Sequence, residues 1–164
     1  MPLPDATPPV RIALVEDVAD LRRRFRERVQ FYDRVALQFV AVHGAHFFDE
    51  LGKCAPDALP QVVLMDIEMP VMDGIEATRR LCDTHPGIEV MMLTVFDEPA
   101  RIFEAIQAGA SGYLLKQIAG RSLTEAIRDV AAGRSLMDPA VTGRLLEIID
   151  NEIKPAYAVL SAMT

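Results

Sequence analysis

The sequence lacks a long apolar run, an excess of positive charge and any cysteine pattern. No apolar segment approaches bilayer length, and the Pro-rich start lacks the basic-then-apolar plan of a signal peptide, so we expect a cytoplasmic protein without a membrane partner. The net charge of −7 argues against a nucleic-acid-binding surface built from these residues alone. Cys54 and Cys82 show neither CxxC nor metal-ligand spacing, which predicts free thiols.

What the sequence does contain is a regular alternation of two kinds of segment. Its 164 residues, 51% of them hydrophobic, suit one compact domain with a tail or linker. From Arg11 onward, short β-branched apolar runs alternate with longer amphipathic stretches, as in α/β proteins with a parallel sheet and helices on both faces. The predicted strands are residues 11–16, 35–42, 61–66, 89–94 and 112–115, and the predicted helices are 20–31, 45–54, 75–85, 99–108 and 122–132.

The two ends of the chain differ from this alternating part. Residues 1–10 are expected to form a disordered tail and residues 11–133 the folded domain. After Gly133 the alternation stops, and Asp138-Pro139 opens a helical pattern that runs to about Ile153, which predicts a linker helix. Its periodicity fits packing on the domain as well as pairing between two protomers.

Acidic residues stand where two predicted strands end. Glu16 and Asp17 come at the end of the first strand, and Asp66 ends the third. If these strands are neighbours, as in the strand order 2-1-3-4-5, the three carboxylates converge at the edge where such sheets bind ligands. Close carboxylates repel one another unless they share protons or hold a cation. An all-oxygen donor set favours Mg²⁺ or Mn²⁺ over Zn²⁺.

Two further polar residues complete the predicted site. Thr94 ends the fourth strand, and Lys116 directly follows the fifth. An ammonium and a hydroxyl group can bind phosphoryl oxygens, so carboxylates, metal, lysine and threonine together predict a phosphoryl-transfer site. Asp66 would be the nucleophile and would form an aspartyl phosphate.

Several motifs then match one known family in order and spacing. They are Glu16-Asp17, Asp66, Met69-Pro70, Asp73-Gly74, Thr94 and the segment GASGYLLK at 109–116. Over residues 11–133 the chain resembles the receiver domains of two-component response regulators. The resemblance implies a flavodoxin-like (βα)5 fold, with a five-stranded parallel sheet of order 2-1-3-4-5.

The resemblance also implies how the metal is held. Mg²⁺ would be bound by Asp17, Asp66 and the backbone carbonyl of Glu68, with Glu16 acting through water. Glu16 departs from the aspartate that is commoner in the family at this position.

The same resemblance implies a switch. A sensor histidine kinase would donate the phosphoryl group to Asp66, and Lys116 and Thr94 would bind its remaining oxygens. Movement of Thr94 would open space into which Tyr113, the switch aromatic, can turn. The domain would thus be a phosphoacceptor that catalyses its own phosphorylation and dephosphorylation, not a conventional enzyme.

The region after the last predicted helix narrows the subfamily. Residues 123–133, Asp138-Pro139 and Leu145-Leu146 resemble the receiver-to-linker region of NarL/FixJ-type transcription factors. The final residues, LSAMT at 160–164, are similar to the opening of that group's DNA-binding helix-turn-helix. The resemblance implies that residues 134–164 are a linker helix and the start of a missing DNA-binding domain. DNA would be bound only through that domain, and phosphorylation would drive homodimerisation.

Three other functions are compatible with an α/β fold of this kind. A pseudo-receiver would keep the fold and act through protein contacts without phosphorylation, although such a module usually loses some of Asp17, Asp66, Thr94 and Lys116. A flavin-binding protein would need a hydroxyl- and Gly-rich phosphate loop after the first strand, where this chain is acidic. A haloacid-dehalogenase-like phosphatase would need its nucleophilic aspartate after the first strand, with a second aspartate two residues on, and the sequence lacks that arrangement.

Overall fold

A computed structural model describes residues 7–95, 98–116, 121–134, 136–137, 142–143, 146–147 and 150–151. The strands are β1 (Val10–Val15), β2 (Val35–Ala41), β3 (Val62–Met65), β4 (Glu89–Thr94), β5 (Gly112–Leu115) and β6 (Leu136–Met137). The helices are α1 (Ala19–Val29), α2 (Gly44–Gly52), α3 (Gly74–Thr84), α4 (Pro99–Ala108) and α5 (Arg121–Ala131). A short 3-10 turn, Pro56–Ala58, precedes β3.

The strands form one parallel sheet in the order β2-β1-β3-β4-β5-β6. The predicted fold class and the strand order 2-1-3-4-5 are therefore confirmed. The sixth strand was not predicted. It pairs with β5 through Gly112 with Leu136 and Tyr113 with Met137, and two residues are too few to show a hydrophobic period.

Both faces of the sheet are buried, and β3 shows why its sequence is apolar throughout. Val63 and Met65 belong to the core that also contains residues of α2, α3 and α4. Val62 and Leu64 belong to the core that also contains residues of α1 and α5. A strand covered on both faces reads as a continuous apolar run, which the sequence shows here.

Helix ends follow local chemistry and lie within two residues of the predicted positions. The Asp73 carboxylate accepts a hydrogen bond from the backbone N–H of Glu76 at 2.8 Å, so α3 has a side-chain cap at its start. Pro99 opens α4, and Gly109, at φ 111°, ends it in the left-handed conformation that glycine adopts without strain.

Several predictions concern the termini and the thiols. Cys54 and Cys82 are free, as predicted. Residues 1–6 of the predicted tail lie outside the described residues, whereas Val10 already belongs to β1. The predicted linker helix also lies largely outside the described residues. No described helix has the length and apolar character needed to cross a membrane.

Candidate functional site

The parallel sheet brings the ends of its central strands to one edge. Glu16 directly follows β1 and Asp66 directly follows β3, and the backbone N–H of Asp66 donates to the carbonyl of Val15 at 3.1 Å. Lys116 follows β5, and its backbone N–H donates to the carbonyl of Thr94 at 2.8 Å. Backbone hydrogen bonds between neighbouring strands therefore fix the positions from which the Asp66 and Lys116 side chains extend.

Three carboxylates meet at this edge. Glu16, Asp17 and Asp66 each offer an oxygen, and these oxygens lie within 4.8 Å of one another. Glu16 and Asp66 are only 3% and 8% exposed. Two buried charges of the same sign are costly unless a cation or a shared proton offsets them.

Lys116 supplies the nearest positive charge. Its Nζ donates to Glu16 Oε1 and lies 3.2 Å from Oδ2 of Asp66. The other oxygen of Asp66, Oδ1, accepts a hydrogen bond from the backbone N–H of Ile67 at 2.9 Å. Both oxygens of Asp66 are thus held in place by donors, one charged and one neutral.

The site shifts the pKa of two of its groups. Burial raises the pKa of Glu16 to about 7, the contact with Asp66 adds to this rise, and Lys116 opposes it. Burial lowers the pKa of Lys116, but the neighbouring Glu16 and Asp66 outweigh it, so the net pKa is raised. Near neutral pH Lys116 is therefore charged, whereas Glu16 is present in both its protonated and its ionised form.

The donor set fits a divalent cation. Among the described residues, Oε2 of Glu16 is a buried side-chain oxygen without a hydrogen-bond partner. Such an oxygen needs a donor or a cation, and carboxylates are the ligands that Mg²⁺ prefers. The oxygens of Glu16, Asp17 and Asp66 lie close enough together to share one ion.

Glu16 is also held through its main chain, by an arginine of the basic first helix for which the sequence predicts no such contact. The guanidinium of Arg22, in α1, donates to the backbone carbonyl of Glu16 at 2.8 Å. The contact joins a loop residue to a helix residue six positions later, and no sequence motif predicts it.

Glu68 is placed differently from the other acids. It lies in the loop between β3 and α3, and its carboxylate pairs with the guanidinium of Arg101, in α4, at 2.7 Å. Sequence reasoning missed Arg101 because 33 residues separate it from Glu68.

Thr94 and Tyr113 both lie inside the protein. Thr94 ends β4 and is fully buried. Tyr113, in β5, is also fully buried and packs in the core that contains residues of α2, α3 and α4. The ring of Tyr113 therefore lies in the core in this structure, and its role as a switch aromatic stays a prediction.

The loop after Asp66 is tightly constrained. The backbone N–H of Gly74 donates to the carbonyl of Ile67 at 2.8 Å, which draws the start of α3 onto the end of β3. Val71 has φ 69°, an unusual conformation for a β-branched residue, beside a Met72 N–H that donates to the Pro70 carbonyl at 2.7 Å. Backbone hydrogen bonds at both of these points therefore define the path of the loop between Asp66 and α3.

Comparison with known proteins agrees with this geometry. The family described as the response regulator receiver domain matches residues 12–128. The chain is 32% identical over 137 residues to the transcriptional regulatory protein LnrK of Bacillus subtilis (strain 168), covering 84% of this chain and 60% of that protein. Identity to the transcriptional regulatory protein DegU of Brevibacillus brevis is 32% over 138 residues, covering 84% and 57%.

Solved structures show the same fold. A two-component response regulator of the LuxR family from Aurantimonas sp. SI85-9A1 has a TM-score of 0.76 and 28% identity, covering 85% of this chain and 96% of that one. The receiver domain of the NarL response regulator of Mycobacterium tuberculosis has a TM-score of 0.69 and 29% identity, covering 78% and 100%.

The match covers only part of the length of the curated relatives. The chain spans about 60% of the length of the two curated relatives above. The relatives are regulators of the NarL/LuxR type, which confirms the predicted subfamily. Because the family match covers most of the chain, this protein belongs to the response regulator receiver domain family.

Proposed function

We propose that Asp66 accepts a phosphoryl group from a phosphohistidine of a sensor histidine kinase, in a reaction that requires Mg²⁺ or Mn²⁺. The nitrogen–phosphorus bond of the donor breaks, and an oxygen–phosphorus bond to the Asp66 carboxylate forms. The observation that carries this proposal is the buried Asp66 carboxylate, held between Lys116 and the Ile67 N–H and adjoined by two further acids.

The acids of the site would hold the metal ion. Asp17 and Asp66 would bind it, with the backbone carbonyl of Glu68 as a further ligand and Glu16 acting through water. The unpartnered Oε2 of Glu16 supports this assignment. When bound, the ion neutralises charge that develops on the phosphoryl oxygens.

Three other groups of the chain position and stabilise the transferred group. The Ile67 N–H fixes one oxygen of Asp66, which sets the direction of the other. The Lys116 ammonium already contacts Asp66 and would bind a phosphoryl oxygen once the transfer is made. The hydroxyl of Thr94, at the end of β4, would donate to another phosphoryl oxygen.

Phosphorylation of Asp66 would change the surface that the domain presents to its partners. The phosphoryl group adds about 1.5 to 2 negative charges, and it draws Thr94 toward Asp66. Because Tyr113 is already inside the core, phosphorylation would stabilise this arrangement over others that the chain samples. The affected surface would include α4, β5 and α5, and it would control homodimerisation and DNA binding.

The rest of the protein follows from this role. Residues 11–133 would form the receiver domain, and residues 134–164 would lead into the DNA-binding domain of a longer cytoplasmic regulator. DNA would be contacted through that second domain, since the net charge of this chain is −7.

Intact-mass analysis tests the chemistry. The chain is incubated with a small-molecule phosphodonor, with and without Mg²⁺, and we expect one phosphoryl adduct that requires the metal. Asp66→Asn should abolish the adduct, whereas Asp83→Asn, at an exposed position near the end of α3, should leave it intact.

A second measurement separates this function from the pseudo-receiver. A short-lived aspartyl phosphate would escape mass analysis, so binding of beryllofluoride, a stable mimic, is measured on the same samples. Binding that needs Mg²⁺ and Asp66 supports the proposal. Absence of both adduct and beryllofluoride binding in the folded chain would favour a pseudo-receiver that acts only through protein contacts.

A further inference from the structure

A long-range ion pair connects α4 to the loop that follows Asp66. Nη2 of Arg101 lies 2.7 Å from Oε1 of Glu68, and Nη1 lies 3.4 Å from Oε2 of Glu104. Glu104 is on the same helix, three residues on, and is an ordinary surface partner. Glu68, in contrast, is two residues after Asp66, so this one guanidinium bridges a helix and the site loop.

The charge around Arg101 is strongly negative. Glu68 and Glu104 contact its guanidinium, and Asp73, at the start of α3, also acts on it electrostatically. The Arg101 side chain is 30% exposed and the Glu68 side chain is 48% exposed, so both partners remain in contact with solvent. Such an exposed pair contributes only a modest free energy.

The position of the Glu68 carboxylate matters because of what lies beside it. The oxygens that cluster at the site come from Glu16, Asp17 and Asp66, and among the described residues Glu68 is not a member of that group. The cluster already carries three carboxylates against the single ammonium of Lys116. A fourth carboxylate free to approach would strengthen cation binding and repel an anionic phosphodonor.

We propose that Arg101 is a positioning residue that holds the Glu68 side chain against α4 and so keeps a fourth carboxylate away from the phosphoacceptor. The pair also ties the first turns of α4 to the loop that carries the proposed carbonyl ligand of the metal. This inference rests on the proposed function of Asp66, because its kinetic consequence is a change in phosphorylation.

The proposal predicts two effects of opposite direction. In Arg101→Gln, the Glu68 carboxylate is released, so Mg²⁺ should bind about two- to fivefold more tightly. At saturating Mg²⁺, phosphorylation by an anionic small-molecule donor should be slower by a similar factor of about two to five. General loosening of the site would weaken both properties, so this split separates positioning from a structural role.

A double-mutant cycle tests the pair. Mg²⁺ affinity and the phosphorylation rate are measured for the unaltered chain, Arg101→Gln, Glu68→Gln and the double variant. Removing the Glu68 charge should cancel the effects of Arg101→Gln, so the double variant should match Glu68→Gln. Additive effects in the cycle would overturn the proposal.

Two further variants serve as controls. Glu104→Gln removes the other partner of Arg101 and should change neither property, because Glu104 does not belong to the site loop. Arg101→Lys keeps the charge and should retain most of the behaviour of the unaltered chain. An Arg101→Lys variant identical to Arg101→Gln, or an effect of Glu104→Gln as large as that of Glu68→Gln, would contradict the proposal.

The same data distinguish a failure of the positioning role of Arg101 from a failure of the proposed function of Asp66. If the unaltered chain is phosphorylated on Asp66 but the cycle is additive, the role of Arg101 fails and the proposed function stands. If the unaltered chain takes up neither phosphoryl group nor beryllofluoride, the proposed function fails, and the positioning role fails with it.

Discussion

Gly74 lies directly against the backbone of Asp66. A Cβ added at Gly74 would come to 1.9 Å from the carbonyl oxygen of Asp66, closer than a carbon atom can approach without a shift of the main chain. The close approach lets α3 begin immediately beside the end of β3. Its glycine is therefore required by the packing around the phosphoacceptor.

Gly74→Ala should consequently destabilise the protein by about 3 kcal/mol, since backbone must move to admit the methyl group. The change also displaces Asp66, so phosphorylation by a small-molecule donor should fall. Urea denaturation measures the stability. Gly87→Ala is the matched control, because nothing lies within 4 Å of a Cβ there, and its effect should stay within about 1 kcal/mol. Equal losses in both variants would contradict the packing argument.

Stability without divalent cations should depend on pH through Glu16. The pKa of Glu16 rises from 4.5 to about 7 on folding, so between these values the folded chain keeps a proton that the unfolded chain has lost. The contribution of the Glu16 proton to the free energy of unfolding is thus complete below pH 4.5. It is lost as pH rises toward 7, and the free energy of unfolding falls by up to about 3 kcal/mol. Urea denaturation at pH 5 and at pH 7.5 measures this loss.

Glu16→Gln should flatten that pH dependence, because the amide does not titrate. The affinity for Mg²⁺ should have the opposite pH dependence. It should increase as pH rises from 6 to 8, because Glu16 loses its proton. A Glu16→Gln variant that keeps the full pH dependence would show that another group carries it.

Removing the charge of Lys116 should separate metal binding from phosphoryl transfer. Lys116→Gln removes the ammonium beside Asp66, so phosphorylation should slow by about tenfold or more, whereas Mg²⁺ should bind at least as tightly. Mass analysis over time and a Mg²⁺ titration measure the two effects. Lys53→Gln, which removes an exposed lysine that pairs only with Glu50 among the described residues, should change neither.

Relief of backbone strain should stabilise the loop after Asp66. Val71 is 80% exposed and has φ 69°, a region that asparagine tolerates better than a β-branched residue. Val71→Asn should therefore raise the free energy of unfolding by about 0.5 to 1 kcal/mol. Val95→Asn is the matched control, since Val95 is also exposed beside the site but lacks a positive φ, and should give no gain.

Much of the fold could be predicted because residues that are close together in the sequence specify its strands and helix ends. Apolar runs of four to eight residues located the five main strands, and Pro99 and Gly109 fixed the ends of α4 at the predicted residues. The acidic cluster followed from one general fact, that parallel strands end at the same edge of their sheet. The predicted Glu16, Asp17 and Asp66 indeed meet there.

The features that escaped prediction depend on distant parts of the chain. The pair of Arg101 with Glu68 joins residues 33 positions apart, and charged residues at helix surfaces look alike in sequence. The inward position of Tyr113 depends on the space left by the surrounding core, which periodicity does not report. The sixth strand has only two residues, Leu136 and Met137, too short for any pattern.

That short strand covers an edge of the sheet. β5 has only four residues, and β6 covers it at Gly112 and Tyr113 on the side opposite β4. A bare strand edge offers unpaired N–H and C=O groups to the strands of other molecules. A receiver cut back to end at Arg134 would expose this edge and would invite sheet-to-sheet association between copies. Leu136 and Met137 thus cover part of the edge that β5 would otherwise present to other molecules.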